Sequence, residues 1–163
     1  MTLWDVEVGR FSDGLLACSP ESLRRLGLRV IEETVTVYGR PLEELFDAST
    51  VTLYRRAVEE FHSADAAQDE WDQLLADAWD WQESKSPFTA ASLCQALAQY
   101  ADSVLGEAPE GMLEMLSSCY ESVLNATSLG RTVTVDAERG DPRCRRAVEL
   151  QLALIEEICG VVA

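Results

Sequence analysis

Apolar residues recur along this chain every three or four positions, in one segment after another, and that spacing predicts helices. Leu23, Leu26, Val30, Thr34 and Val37 share one face of a helix that starts at Ser19-Pro20-Glu21. Ser caps the free amide groups there, Pro fits the first turn, and Glu suits the positive helix end. Gly39 and Pro41 stop that helix, although the β-branched residues near Thr34 and Val37 weaken its last turn. A short helix is expected over 42–48. Ser49 or Thr50 can cap the next one, in which Val51, Tyr54, Val58 and Phe61 form a stripe. Ser63 or Asp65 restarts a helix to about Gln82, with Trp71, Leu74, Leu75, Ala78 and Trp79 at i, i+3, i+4, i+7 and i+8.

Ser86-Pro87 breaks the pattern. Leu93, Ala96, Leu97, Tyr100, Ala101 and Val104 then make the cleanest stripe, punctuated by Gly106 and Pro109. Met112, Leu116, Cys119, Tyr120, Val123 and Leu124 mark another helix. Asp141-Pro142 is a second cap-plus-proline start. The helix after it carries Val148, Leu152, Ile155 and Cys159, widened by Leu150, Leu154 and Ile158, and ends at Gly160. Being apolar nearly all round, it is expected to be central. Two segments do not read as helix. Residues 3–8 alternate, with Trp4, Val6 and Val8 against Asp5 and Glu7, which suits a short strand or an extended arm. Thr132 to Val135, in a looser connection over 126–140, could pair with it.

The expected fold is therefore all-α: a single-domain bundle of about six or seven mostly antiparallel helices, with room for one short peripheral strand pair. Residues 1–18 form an N-terminal arm, 19–126 the helices, 127–140 a connection and 141–160 a central C-terminal helix. No internal repeat or long linker divides the 163 residues, a length usual for one domain.

Charge changes the picture more than composition does. There are 29 acidic residues against 13 basic ones, for a net charge of −16. A field of that sign repels nucleic-acid phosphate and anionic membrane and attracts basic proteins. Direct nucleic-acid or membrane binding is thus disfavoured. Met1 to Gly14 carry Asp5, Glu7, Arg10 and Asp13, so no apolar leader segment is visible, and no run approaches a membrane span. The 5 cysteines are odd in number, dispersed and without a Cys-x-x-Cys pair. They suit reduced thiols in a cytoplasmic protein better than a disulfide frame or a zinc site.

Catalytic and metal-binding patterns are sparse. Glu59 and His62 form one Glu-x-x-His pair of the kind used in di-iron bundles, but His62 is the only histidine, so a second pair cannot exist. A helix-end histidine beside an acidic surface is the simpler reading. Cys–His or Ser–His catalysis would need the same residue, the glycines form no phosphate loop, and no cofactor is implied. Asp65, Asp69 and Asp72 lie at helical spacing rather than around a Ca²⁺ loop. Carboxylate-only acid–base chemistry would need a pocket that sequence does not reveal.

The acidic tract is more informative. Between Arg56 and Lys85 there is no basic residue, and nine acids occupy 57–84. On a helical wheel Asp65, Asp69, Asp72, Asp80 and Glu83 fall within roughly an 80° sector, with Trp71, Leu74, Leu75 and Ala78 opposite and Trp79 and Trp81 near the borders. A solvated face over a core face accounts for this without any function. A partner-binding surface of Asp65, Asp69, Asp72 and Asp80 with Trp79 or Trp81 as anchor accounts for it too, since tryptophan is enriched at binding hot spots.

The segments Pro87 through Leu105, Met112 to Leu124, and Asp141-Pro-Arg-Cys-Arg-Arg-Ala-Val-Glu-Leu-Gln-Leu resemble the later helices of a bacterial all-helical domain family of unknown function. That family tends to carry His-Pro-Leu-Met before a Glu-Leu-x-x-Gln helix. Asp141-Pro142-Arg143-Cys144 stands there in this chain, so the histidine is missing. The resemblance implies a helical bundle and transfers no catalytic residue. In size, acidity and lack of a catalytic motif the chain is also similar in type to toxin-immunity proteins and antitoxins. The expected function is a non-enzymatic protein that neutralises or escorts a basic partner, either toxin-like or nucleic-acid-binding. The alternatives are an accessory or scaffold subunit, with a homodimer compatible, and a small-molecule-binding or enzymatic bundle.

Overall fold

The computed structural model describes residues 1–63, 68–83, 88–127, 129 and 133–161. The backbone alone is described at 68, 69, 81–83, 88 and 89. Six helices of 15 to 18 residues dominate: α3 Pro20–Val37, α5 Ala48–His62, α6 Gln68–Glu83, α7 Phe88–Leu105, α8 Pro109–Ala126 and α10 Pro142–Cys159. Four short helices of 4 to 6 residues complete the described chain: α1 Leu3–Glu7, α2 Ser12–Leu16, α4 Leu42–Leu45 and α9 Val135–Gly140. A 3₁₀ turn, Gly9–Phe11, joins α1 to α2.

The helix starts follow local chemistry. Ser19 Oγ accepts from the Ser22 amide at 3.1 Å, and Asp141 Oδ1 accepts from the Arg143 and Cys144 amides at 2.9 and 3.0 Å. Each cap satisfies amide groups that a helix leaves without internal partners. Gly39 and Gly160 adopt left-handed conformations, φ 73° and 67°, at the ends of α3 and α10, where a side chain would add strain. One cap differs from expectation. Asp47 Oδ1, not Ser49 or Thr50, accepts from the Thr50 amide and starts α5. Thr50 already lies inside the helix with its side chain buried.

Residues 3–8 are not a strand. Thr2 and Asp5 form a reciprocal capping box that closes α1. Five alternating residues fit a strand and a helical turn equally well, so the pattern could not separate the two. Of the segment proposed to pair with it, Thr132 lies outside the described residues and Val135 begins α9. Asp65 and the Ser86-Pro87 break also lie outside the described residues.

Side-chain contacts give the helix directions. Ser118 bonds Gln99 at 2.7 Å and Asn125 bonds Ser92 at 3.0 Å, while Gly111 abuts Ser103. Partner numbers fall along one helix as they rise along the other, so α7 and α8 form an antiparallel hairpin. α10 runs antiparallel to α3, with Arg143 against Gly39 at one end and Arg29 paired with Glu157 at the other. α5 and α6 are antiparallel too, since Phe61 meets Trp71 and Arg56 meets Asp77. α3 and α8 run the other way. Gly27 touches Met112 and Met115 while Tyr38 bonds Ser122 at 2.7 Å, a parallel pairing.

The centre of the molecule is α7 with α8, not α10. α7 packs against α3, α5, α6 and α8, and from Ala90 to Leu105 only Asp102 is exposed. α10 buries Cys144, Ala147, Val148, Gln151, Leu154 and Ile155, and turns Arg145, Arg146, Glu149, Glu156 and Glu157 outward. Those charges narrow its apolar stripe to one face. Gly27 allows α3 to close on this centre. A Cβ there would lie 2.6 Å from Met112 Sδ and 3.0 Å from the Tyr100 ring, so a larger residue requires these buried side chains to shift.

Candidate functional site

α6 carries the acidic face. Its inner side is held by aromatic packing: the Trp71 ring lies 5.1 Å from Phe61 of α5, and Phe61 lies 4.4 Å from Tyr100 of α7. Trp71, Leu74 and Ala78 are buried, as the stripe requires. Burying side chains of this kind is worth about 1.5–3 kcal/mol each, far more than the exposed ion pairs on the same elements contribute. Core packing therefore sets the rotation of α6, and the rotation sets which residues face solvent.

That outward set is Glu70, Asp72, Gln73, Ala76, Trp79 and Asp80. Trp79, which fits the apolar register, is 38% exposed and stands eight residues from the buried Trp71. Asp72, Trp79 and Asp80 thus share one exposed face two helical turns long. Asp69 and Trp81 lie on α6, but their side chains, like Asp65, are outside the described residues. One flank is already neutralised. Asp77 Oδ2 accepts from Arg56 of α5 at 2.8 Å, and Asp77 Oδ1 accepts from Gln73 at 2.8 Å. The Arg56 bond, then Gln73, hold the Asp77 carboxyl below its usual range. Arg55 and Glu43 pair nearby. A cleft of about 410 Å³ runs beside these residues, lined by Thr52, Leu53, Arg56 and Asp77.

The residues considered for chemistry are placed differently. His62 Nε2 is 2.6 Å from Glu32 Oε1 on α3, which gives this histidine a polar partner on a neighbouring helix. Among the described residues no group of three or more His, Cys, Asp or Glu side chains converges to hold a metal ion. Burial pushes the Cys94 and Cys119 thiols up to about 12 and the Cys144 thiol up to about 11, opposite to what a nucleophile needs at neutral pH.

Two features were not legible in the sequence. The first is a polar cluster under α1. Glu138 of α9 is 1% exposed. Its carboxyl accepts from the Leu3 amide, 3.2 Å from each oxygen, and from Tyr120 Oη at 2.7 Å. Beside it Trp4 Nε1 donates to Gln151 Oε1 at 2.8 Å, and Gln151 Nε2 donates to the Leu116 carbonyl at 2.9 Å. The available signal was Thr134 with Asp136 and Glu138 behind it, a helix start inside a segment that reads as loop. The second is a cleft of about 580 Å³ between the start of α3 and the α7–α8 turn, lined by Leu16, Cys18, Leu23, Arg24, Val104 and Met112. Glu107, at its edge, has φ 50°.

The tyrosines give a direct check on this packing. Burial raises the phenols of Tyr38, Tyr54, Tyr100 and Tyr120, all 4 in the chain, above the ordinary value. The folded state thus favours the neutral phenol, whereas the unfolded chain ionises near pH 10. This contribution to stability is intact below about pH 10 and is lost as pH rises beyond it. Spectrophotometric titration should show no reversible phenolate signal near pH 10 while the circular dichroism is native, then joint ionisation on alkaline unfolding. A tyrosine titrating normally in the folded protein would show that one of these rings is open to water.

Among the described residues, no helix is long and apolar enough to cross a membrane. No family model matches the chain, and no curated protein or solved structure matches it either.

Proposed function

We propose that this chain is a non-enzymatic acidic protein that binds a basic partner protein and neutralises or escorts it, as immunity proteins and antitoxins do, and that the partner docks on the outer face of α6. The observation that carries this reading is Trp79, a large aromatic side chain 38% exposed on the same face as Asp72 and Asp80. Leaving that much apolar ring in water costs stability unless a partner covers it, and tryptophan is a preferred anchor at interface centres. The net charge of −16 supplies long-range attraction for a basic surface. The sequence adds Asp65, Asp69 and Trp81, whose side chains lie outside the described residues, as further candidates in the same segment.

The test begins with capture of the partner at low salt and its identification. Trp79→Ala should then speed dissociation about 30-fold, the equivalent of about 2 kcal/mol, with the circular dichroism of the free domain unchanged. An unchanged dissociation rate would remove Trp79 from the interface. The cleft of about 580 Å³ favours a second reading, a small-molecule binder, because its volume is that of a ligand site. A ligand held there would bind equally well to the Trp79→Ala protein.

A further inference from the structure

The fold brings two cysteines together that are 141 residues apart in sequence. Cys18 lies in the turn between α2 and α3, and Cys159 is the last residue of α10. Cys18 Sγ donates to the Gly14 carbonyl at 3.4 Å and lies 4.0 Å from the Cys159 carbonyl oxygen. Cys18 thus packs against the backbone of Cys159. The surrounding packing holds them there: a Cβ on Gly14 would come 3.0 Å from Val161, so α2 rests directly on the residues that follow α10. Both cysteines are half-buried, whereas Cys94, Cys119 and Cys144 are buried. Cys18 also lines the cleft, as Arg24 does, which gives a small oxidant a path to this residue. Neither residue sits in the middle of a long helix, so backbone adjustment to the geometry of a disulfide is local.

From this arrangement we infer that Cys18 and Cys159 form a site of reversible oxidation, closing to a disulfide with a small peroxide as the oxidant. Cys18 attacks first, because it faces the cleft. Its thiolate sulfur bonds to one peroxide oxygen, the O–O bond breaks, and the other oxygen leaves as hydroxide, which is protonated to water. The product is a sulfenic acid at Cys18. Cys159 then gives up its proton and attacks the Cys18 sulfur. The S–O bond breaks, water leaves, and the S–S bond forms. Two thiols and one hydrogen peroxide become one disulfide and two waters, the two sulfurs losing the two electrons that the peroxide gains. Cys159 suits the second role by position: burial, and after it the neighbouring Cys18 thiol, push its thiol up to about 12, so it is slow to react with free oxidant, and its place beside Cys18 offsets that slowness once Cys18 carries an electrophilic sulfur. The bond would tie the α2–α3 turn to the end of α10 and fix one wall of the cleft.

The experiment treats the reduced, full-length protein with hydrogen peroxide under native conditions. An intact mass lower by about 2 Da and a single cross-linked peptide joining Cys18 to Cys159, both reversed by a thiol reductant, are expected. Cys159→Ser should instead accumulate a sulfenic acid at Cys18, trapped by a cyclic 1,3-dione. Stepwise oxygen addition at independent cysteines, a cross-link involving Cys94, Cys119 or Cys144, or a disulfide between two molecules would overturn the assignment. The peptide map of the wild-type protein decides the matter even if the serine variant fails to fold.

Discussion

Replacing Glu138 with alanine is expected to lower the free energy of unfolding by about 2–6 kcal/mol. The carboxyl is the acceptor for both the Leu3 amide and the Tyr120 hydroxyl, and it is buried, so water cannot replace it. Two buried donors would be left without an acceptor, each at about 1–3 kcal/mol. Against a typical domain stability of about 5–15 kcal/mol, that loss is large. It would be felt first at α1, whose amide end Glu138 holds. Glu138→Gln should cost less. The amide oxygen can still accept from both donors, and the cost reduces to an NH₂ group facing the Leu3 amide. Arg139→Ala is the control, because Arg139 is half-exposed and pairs with the surface residues Glu7 and Asp136. Urea unfolding followed by far-ultraviolet circular dichroism reads the three variants on one scale. If Glu138→Ala unfolds at the wild-type midpoint, the cluster is not what fastens α1.

Sequence and structure agree where the physics is local. Ser19-Pro20, Asp141-Pro142, Gly39 and Gly160 act on amides and dihedrals within a few residues, and the chain alone reveals them. Disagreement begins where a distant partner decides. Trp4 bonds Gln151 and Leu3 bonds Glu138, contacts that span most of the chain, so the Thr2-x-x-Asp5 spacing was a local sign of a helix start but nothing near residue 4 could indicate that the helix is buried. The same limit put α10 at the centre: its apolar positions resemble those of α7, but only packing reveals that three helices besides α8 surround α7. On α6 the wheel separates Trp71, Leu74 and Ala78 from Asp72 and Asp80, as observed. Periodicity could not place Trp79, because it sits where the apolar stripe meets the acidic sector, and the rotation fixed by the Phe61–Trp71–Tyr100 stack turns it outward.

Reversing Asp72 and Asp80 together to lysine is expected to slow association with the basic partner on the order of tenfold or more at low salt. The double change moves the face by four charges, from attraction to repulsion. Rim charges act on the encounter rate, since they steer partners before contact, and act much less on dissociation. Both positions are exposed on a helix, where substitutions usually shift stability by no more than about 0.5 kcal/mol. Loss of binding with the helical spectrum intact is therefore attributable to the surface. The pattern is the opposite of that expected for Trp79→Ala, which should alter dissociation, so the two variants separate steering from anchoring.

The most direct measurement is the association rate constant of the wild-type protein and the Asp72→Lys, Asp80→Lys variant with the captured partner, followed across ionic strength. The Debye length is about 10 Å at 0.1 M and about 3 Å at 1 M. If the outer face of α6 steers the partner, the wild-type rate falls steeply as salt rises, the variant is slower with a flatter or inverted dependence, and the two curves converge at high salt. Superimposable curves at every salt concentration would contradict the proposal and leave the acidic face of α6 as a solvated surface only.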